Sequence, residues 1–346
     1  MALPQSFVGR LTVPIVAAPM FLISGPDLVV ECCRAGVVGT FPALNRRTTE
    51  GYAEWLAEIA ERLAAIESRT GVAPAPFGVN LVIHKSNRRL EADLAATLAA
   101  RVPLVVTSLG LDRDLIRAVH EAGGLVFHDV TTIAHARKAA EAGVDGLIAV
   151  CHGAGGHAGR LNPLVAIAEI RRFFAGTLLL AGTVTNGVEV AAARLLGADM
   201  AYVGTRFMAT RESLAASGLE AMLVASGPDD IVYAGYELAD AAMLETARRK
   251  LADAGVGAEG VPGNFLRPSI VAAGRDPDDL SAPARLDLAT GEAKAWKDIW
   301  AAGQGVGGID DIPGAGDLCA RFARDYRAAL DRAGALLDEP TRAAVA

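Results

Sequence analysis

The sequence predicts an α/β protein folded as a closed (β/α)8 barrel, and three observations carry that prediction. Eight short apolar runs alternate with helix-like segments from Leu11 to about Met222. Each run is rich in Val, Ile, Leu or Phe, as strands buried on both faces are. Glycines and polar residues recur where these runs stop, and barrels collect their chemistry at the C-terminal ends of their strands.

The strands are read as Ile15–Ala18, Val37–Phe41, Phe77–Leu81, Leu104–Thr107, Leu125–Asp129, Leu147–Val150, Leu178–Ala181 and Met200–Val203. Between the second and third, Tyr52, Trp55, Leu56, Ile59, Leu63 and Ile66 fall on one face of a 3.6-residue period, with Glu54, Glu58, Glu61 and Arg62 largely opposite. Gly123, Gly143 and Gly197 stand where helices should end, because glycine relieves the left-handed position there. An open doubly wound sheet would need a glycine-rich fingerprint after the first strand, and Ala17-Ala18-Pro19-Met20 is not one.

After Ala209 the alternation stops. Turn chemistry dominates Gly227 to Glu292, with a helix-like stretch from Leu238 to Ala254. A segment of that length reads as a lid or small second domain. The expected organisation is a barrel over 1–222, a smaller and mainly helical inserted substrate domain over 223–307, and a C-terminal helix over 308–346 that returns to the barrel. Leu318, Phe322, Tyr326 and Leu330 would form the buried face of that helix.

Composition narrows the function. The formal net charge of -7 lacks the basic footprint of a nucleic-acid surface. Apolar residues make up 52% of the chain, but Gly, Arg, Asp or Glu break them every few positions, so no membrane span is expected. Met1 to Gly9 lacks the basic and apolar segments of a signal peptide, and a cytoplasmic location is the expectation. Cys32, Cys33, Cys151 and Cys319 have neither metal-type spacing nor the density of a disulfide scaffold. Reduced thiols and no metal site are expected. The oligomeric state stays open, a homodimer being one option.

The chemistry centres on Cys151-His152-Gly153-Ala154-Gly155-Gly156-His157-Ala158-Gly159, directly after an apolar strand. Glycines there let the backbone approach a flat or phosphorylated ligand, and His157 would stand over it. The competing reading is a structural turn with two exposed histidines. Gly182-Thr183 and Gly204-Thr205-Arg206 end the last two strands, where barrels commonly build a phosphate site. Asn80 offers both a donor and an acceptor to a heteroaromatic edge, or is a buried amide satisfied by backbone. Pro19 and Met20 would floor a ring. Asp129 would fix a histidine tautomer or cap the helix at Thr131-Thr132. His84, His120 and His135 read as ordinary surface histidines, and His152 as ambiguous.

Together Ala18-Pro19-Met20, Gly78-Val79-Asn80-Leu81, Gly153 to Gly159, Gly204-Thr205-Arg206-Phe207 and Ala302-Gly303-Gln304-Gly305 resemble the nitronate monooxygenase family, also called 2-nitropropane dioxygenases. The resemblance runs in order from about Ile15 to Gly308. It implies a flavoprotein that binds FMN non-covalently at the strand ends and oxidises a nitronate with dioxygen to a carbonyl compound and nitrite. By that likeness Gly182, Gly204 and Thr205 hold the phosphate, Ala18, Pro19, Met20, Asn80, Asp129, Gly155 and Gly156 lie along the flavin, and Gln304 and Gly305 return to it from the insertion. His157 acts at the substrate, and Asn264 and Arg267 line the lid side.

Two departures stand out: Thr183 occupies a position where the family often has glycine, and Asp129 stands where quinone-reductase relatives carry lysine. The alternatives are an NAD(P)H-dependent FMN reductase of quinones or enoyl thioesters, and a flavin-free sensor that binds a phosphate ligand.

Overall fold

The structure is a computed structural model, and it describes residues 3–84, 87–234, 263–274, 276–278 and 299–335. The expected helix over Leu238 to Ala254 and the tail beyond Ala335 lie outside the described residues. Strands β1 (Ile15–Ala17), β2 (Val38–Pro42), β3 (Gly78–Val82), β4 (Leu104–Ser108), β5 (Leu125–Val130) and β6 (Gly146–Val150) run parallel in chain order. A two-residue strand, β7 (Gly156–His157), leaves the barrel, and β8 (Thr177–Ala181) and β9 (Met200–Val203) complete it. Closure comes from β9 pairing with β1, Val16 opposite Tyr202. All eight expected strands are present, each shifted by no more than about one residue at its start or end.

Period-two alternation divides each strand between two cores. Val16, Val38, Leu104, Val106, Phe127, Ile148, Leu179 and Met200 pack inside the barrel with Phe7, whose ring lies 6.1 Å from that of Phe127. The alternate residues, among them Ile15, Ala17, Val79, Leu81, Val105, Val126 and Val130, pack outward under the helices. The helix Thr49–Thr70 buries Tyr52, Leu56, Ile59 and Ile66 as its period requires. Thr48 caps its start by accepting from the Gly51 amide at 3.1 Å, and Gly71 ends it in the left-handed conformation. Gly123, Gly143 and Gly197 all have positive φ. The C-terminal helix Ala315–Ala335 buries Leu318 and Phe322, and the Phe322 ring stacks 6.0 Å from Phe207.

The described part of the insertion contains a sheet that the sequence reading did not foresee. Strands β10 (Ile231–Ala234) and β11 (Gly263–Leu266) pair antiparallel, and β11 pairs with β7 on its other edge, Gly263 opposite His157. The following chain continues that edge, with Leu266 N donating to Trp300 O at 2.8 Å. The glycine-rich turn therefore supplies a strand that joins the insertion to the barrel mouth.

His128, next to Asp129 near the end of β5, alternates outward with Val126 and Val130. There its Nδ1 shares a 2.8 Å hydrogen bond with Thr107 Oγ1 under the helix layer. Burial, with a smaller contribution from His135, depresses its pKa to about 4. The unfolded chain takes up that proton near pH 6.5, so the stability conferred by a neutral His128 is complete above pH 6.5 and is lost as the pH falls toward 4. Relative to His128→Asn, the wild-type protein is expected to lose roughly 3 kcal/mol across that window. Urea unfolding at pH 7.5, 5.5 and 4 measures the difference, and a pH-independent gap would refute the assignment.

Candidate active site

The loops after β1, β6, β8 and β9 meet the returning segment 302–305 at the C-terminal mouth of the barrel. Ala18 N donates to Val203 O at 2.8 Å, which carries the β1 loop past Gly204. A Cβ built on Gly204 would lie 3.7 Å from Ala18 Cβ and 3.9 Å from Met20 Sδ. Asn45 Nδ2 donates to Met20 O at 3.0 Å and Met20 N donates to Ser24 Oγ at 3.0 Å, which fixes the Pro19-Met20 turn.

Three chain segments converge at one junction. Gly303 N donates to Thr205 Oγ1 at 2.9 Å, and Gln304 N donates to Gly153 O at 2.9 Å. A Cβ on Gly155 would stand 2.7 Å from Gly303 N and 3.0 Å from Thr205 Oγ1. Only glycine permits that approach. Gly182 lies against the same loop, its Cβ position 3.1 Å from His152 O, and Gly305 abuts Thr183 and Thr185. The neighbouring Thr183 adopts φ +61°, a left-handed backbone that favours glycine, and its hydroxyl donates to Gly182 O at 2.7 Å. Asn264, 2% exposed on β11, donates from Nδ2 to Ala154 O at 2.7 Å and pins the glycine loop from the insertion side.

The upper interior of the barrel is polar. Asn80 Nδ2 donates to Val106 O at 3.2 Å and to Ser108 Oγ at 2.8 Å, and Ser108 Oγ donates to Asp129 Oδ2 at 2.6 Å. Burial raises the Asp129 carboxyl to about 6, with the Ser108 hydrogen bond partly opposing it. Tyr202 packs against the inner core, and burial together with the nearby Asp129 charge pushes its phenol well above the ordinary range. Among the described residues, Asn80 Oδ1, the second Asp129 oxygen and the Tyr202 hydroxyl have no hydrogen-bond partner. Asp129 neither holds a histidine nor caps the next helix, because Thr132 caps it by accepting from His135 N at 3.2 Å. Ser108 and Tyr202 were missed. The alternation Leu104, Val106, Ser108 was the signal for the first, but the strand was ended one residue early.

His157 lies on β7, its side chain reachable from solvent at the mouth yet packed closely enough that burial lowers its pKa. His152 is exposed and stacks on Tyr233 with ring centroids 6.3 Å apart. Arg206 is buried and faces away from the mouth. Its guanidinium bonds Asp311 Oδ1 at 2.6 Å and Ala209 O at 3.2 Å, a structural clamp in which Arg321 also holds Asp311. Arg267 is ion-paired with Asp278 at 2.9 Å. His120 bonds Asp145 at 2.8 Å on the surface. No helix among the described residues is long and apolar enough to cross a membrane.

An eight-stranded parallel barrel with glycine-lined loops and unpaired polar groups at its C-terminal mouth defines a barrel enzyme, an oxidoreductase by its relatives. Residues 7–325 match the model of nitronate monooxygenase, and the chain belongs to that family. A nitronate monooxygenase of Neurospora crassa is 31% identical over 58% of this chain and 61% of its own length. A Rhodococcus jostii protein named as (3aS,4S,5R,7aS)-5-hydroxy-7a-methyl-1-oxo-octahydro-1H-indene-4-carboxyl-CoA dehydrogenase is 25% identical over 93% of this chain and 95% of its own. The Mycobacterium tuberculosis protein of the same name matches over 59% of its length at 28% identity. Among solved structures, nitroalkane oxidase from Streptomyces ansochromogenes superposes with a TM-score of 0.71 at 25% identity, covering 95% of this chain and 100% of that one.

Proposed function

We propose that this protein is an FMN-dependent enzyme that oxidises alkyl nitronates with dioxygen to a carbonyl compound and nitrite. The observation that carries this reading is the convergence of Gly155, Gly182, Gly204, Thr205 and Gln304 on one barrel mouth, beside a histidine on β7. The residues suit a flavin. Glycine-lined backbone at the ends of β8 and β9 would hold a phosphate, and Ala18, Pro19 and Met20 would lie along a flat ring. Asn80, Asp129 and Tyr202, with polar atoms unpaired among the described residues, would hold its heteroatoms. Bound FMN would accept electrons and react with dioxygen; the protein supplies placement and electrostatics.

His157 would act on the substrate according to its charge. A nitroalkane is a weak carbon acid, and a desolvated, neutral imidazole can remove its α-proton. A nitronate arrives without that proton, and His157 then orients the anion. Reduction of the flavin by NAD(P)H, with an acyl or enoyl thioester or a quinone as partner, is the second reading. The Rhodococcus jostii relative aligned over 93% of the chain is named as a dehydrogenase of a carboxyl-CoA, which fits a thioester as partner.

Anaerobic mixing of the purified yellow protein with propyl-2-nitronate and, separately, with NADH tests both. The expected result is flavin bleaching by the nitronate within turnover time, little bleaching by NADH, and nitrite release on admitting air. Rapid bleaching by NADH alone would instead support the reductase.

A further inference from the structure

The half-buried carboxyl at the end of β5 does more than fill the rim. On the flavin reading above, we propose that Asp129 is the proton-holding residue of the mouth: it becomes a neutral acid when the ring binds, so cofactor binding takes up a proton there.

The geometry leads to this in three steps. Asp129 alternates inward with Leu125 and Phe127, and Ser108 donates to one of its oxygens at 2.6 Å. The other oxygen has no partner among the described residues and depends on water for its solvation. Among the described residues, the polar groups that meet the carboxyl are Ser108 on β4, bridged to Asn80 on β3, and Tyr202 on β9, and none of them carries a positive charge. Before any ligand arrives, burial has already brought the group to about 6.

A flat ring laid over the mouth removes the remaining water without supplying a cation, and desolvation of that kind disfavours the carboxylate. A protonated Asp129 still accepts from Ser108 and gains a hydrogen to donate into the mouth. The ionised group would instead oppose negative charge on whatever lies above it. Ser108 acts in the opposite sense, since its hydrogen bond favours the charged form.

The test is isothermal titration of the flavin-stripped full-length protein with FMN at pH 7 in buffers of different ionisation enthalpy, which counts protons directly. Wild-type protein is expected to take up roughly 0.5–0.9 proton more per FMN than Asp129→Asn, a difference that cancels the titration of the phosphate itself. In Ser108→Ala the free carboxyl is already more protonated, so the excess shrinks at pH 7 and reappears at higher pH. Should Asp129→Asn fail to fold, the Ser108→Ala shift decides the question alone. Equal proton counts in wild type and Asp129→Asn, or an unmoved window in Ser108→Ala, would overturn the inference while leaving the flavin reading intact. Failure of FMN to bind the wild-type protein would overturn the flavin reading, and this inference with it.

Discussion

Replacing His157 with alanine or asparagine is expected to leave the flavin bound while cutting turnover of neutral nitroalkanes by about 10²–10⁴, the range a positioned general base supplies. Propyl-2-nitronate should lose far less, because its α-proton is already gone. The asymmetry follows from the placement of His157 on β7, paired to Gly263 of the insertion, with no part in the hydrogen bonds that join Gly303 to Thr205 and Gln304 to Gly153. Burial lowers its pKa, so the imidazole is neutral at pH 7 and available as a base; it is disabled only as the pH falls below that depressed value. Steady-state nitrite release with nitroethane and with its nitronate, each at matched flavin content, makes the comparison. Equal losses on the two substrates would remove the base assignment.

The second large effect is expected at Gly303. A Cβ there would meet Gly153 O at 2.5 Å and Gly155 N at 2.9 Å, both backbone atoms that no rotamer change can move. Gly303→Ala must therefore push segment 302–305 away from the glycine loop and break the hydrogen bond that Gly303 N donates to Thr205 Oγ1. Displacements near 1 Å in a positioned site cost about 100-fold. Nitronate turnover is expected to fall by that order and FMN to bind more weakly, with the main thermal transition by circular dichroism little changed because the backbone this residue meets, Gly153 to Gly155, lies in a loop. Unaltered FMN binding would show that the junction is not part of the cofactor site.

Individual elements show how far the sequence could be read. The eight strands, the buried face of Thr49–Thr70 and the glycine helix ends were legible because each rests on a local period or a local φ requirement. Convergence of Gly155, Gly182 and Thr205 was legible once a barrel was assumed, since the C-terminal strand ends must share one face, whereas Gln304 was reached only through the family resemblance. The pair His128-Asp129 marks a limit: the end of a strand does not say which neighbour faces inward, and one residue decides between the mouth and the helix layer. Arg206 read as part of the rim, yet it turns away to Asp311, a partner 105 residues distant. Strand β7 could not be read at all, because two residues have no period and the strand exists only through pairing with β11.

The sequence alone determined the barrel, the order of its strands and most of the glycines gathered at their ends, because those follow from short-range periodicity and chain order. Tertiary structure alone decided which polar groups meet: Asn80 with Ser108, Ser108 with Asp129, and Gly303 with Thr205. The physical reason is that hydrogen bonds across the mouth depend on inter-strand register and on the path of the insertion. Both are set by packing between segments far apart in the chain, which no local pattern encodes.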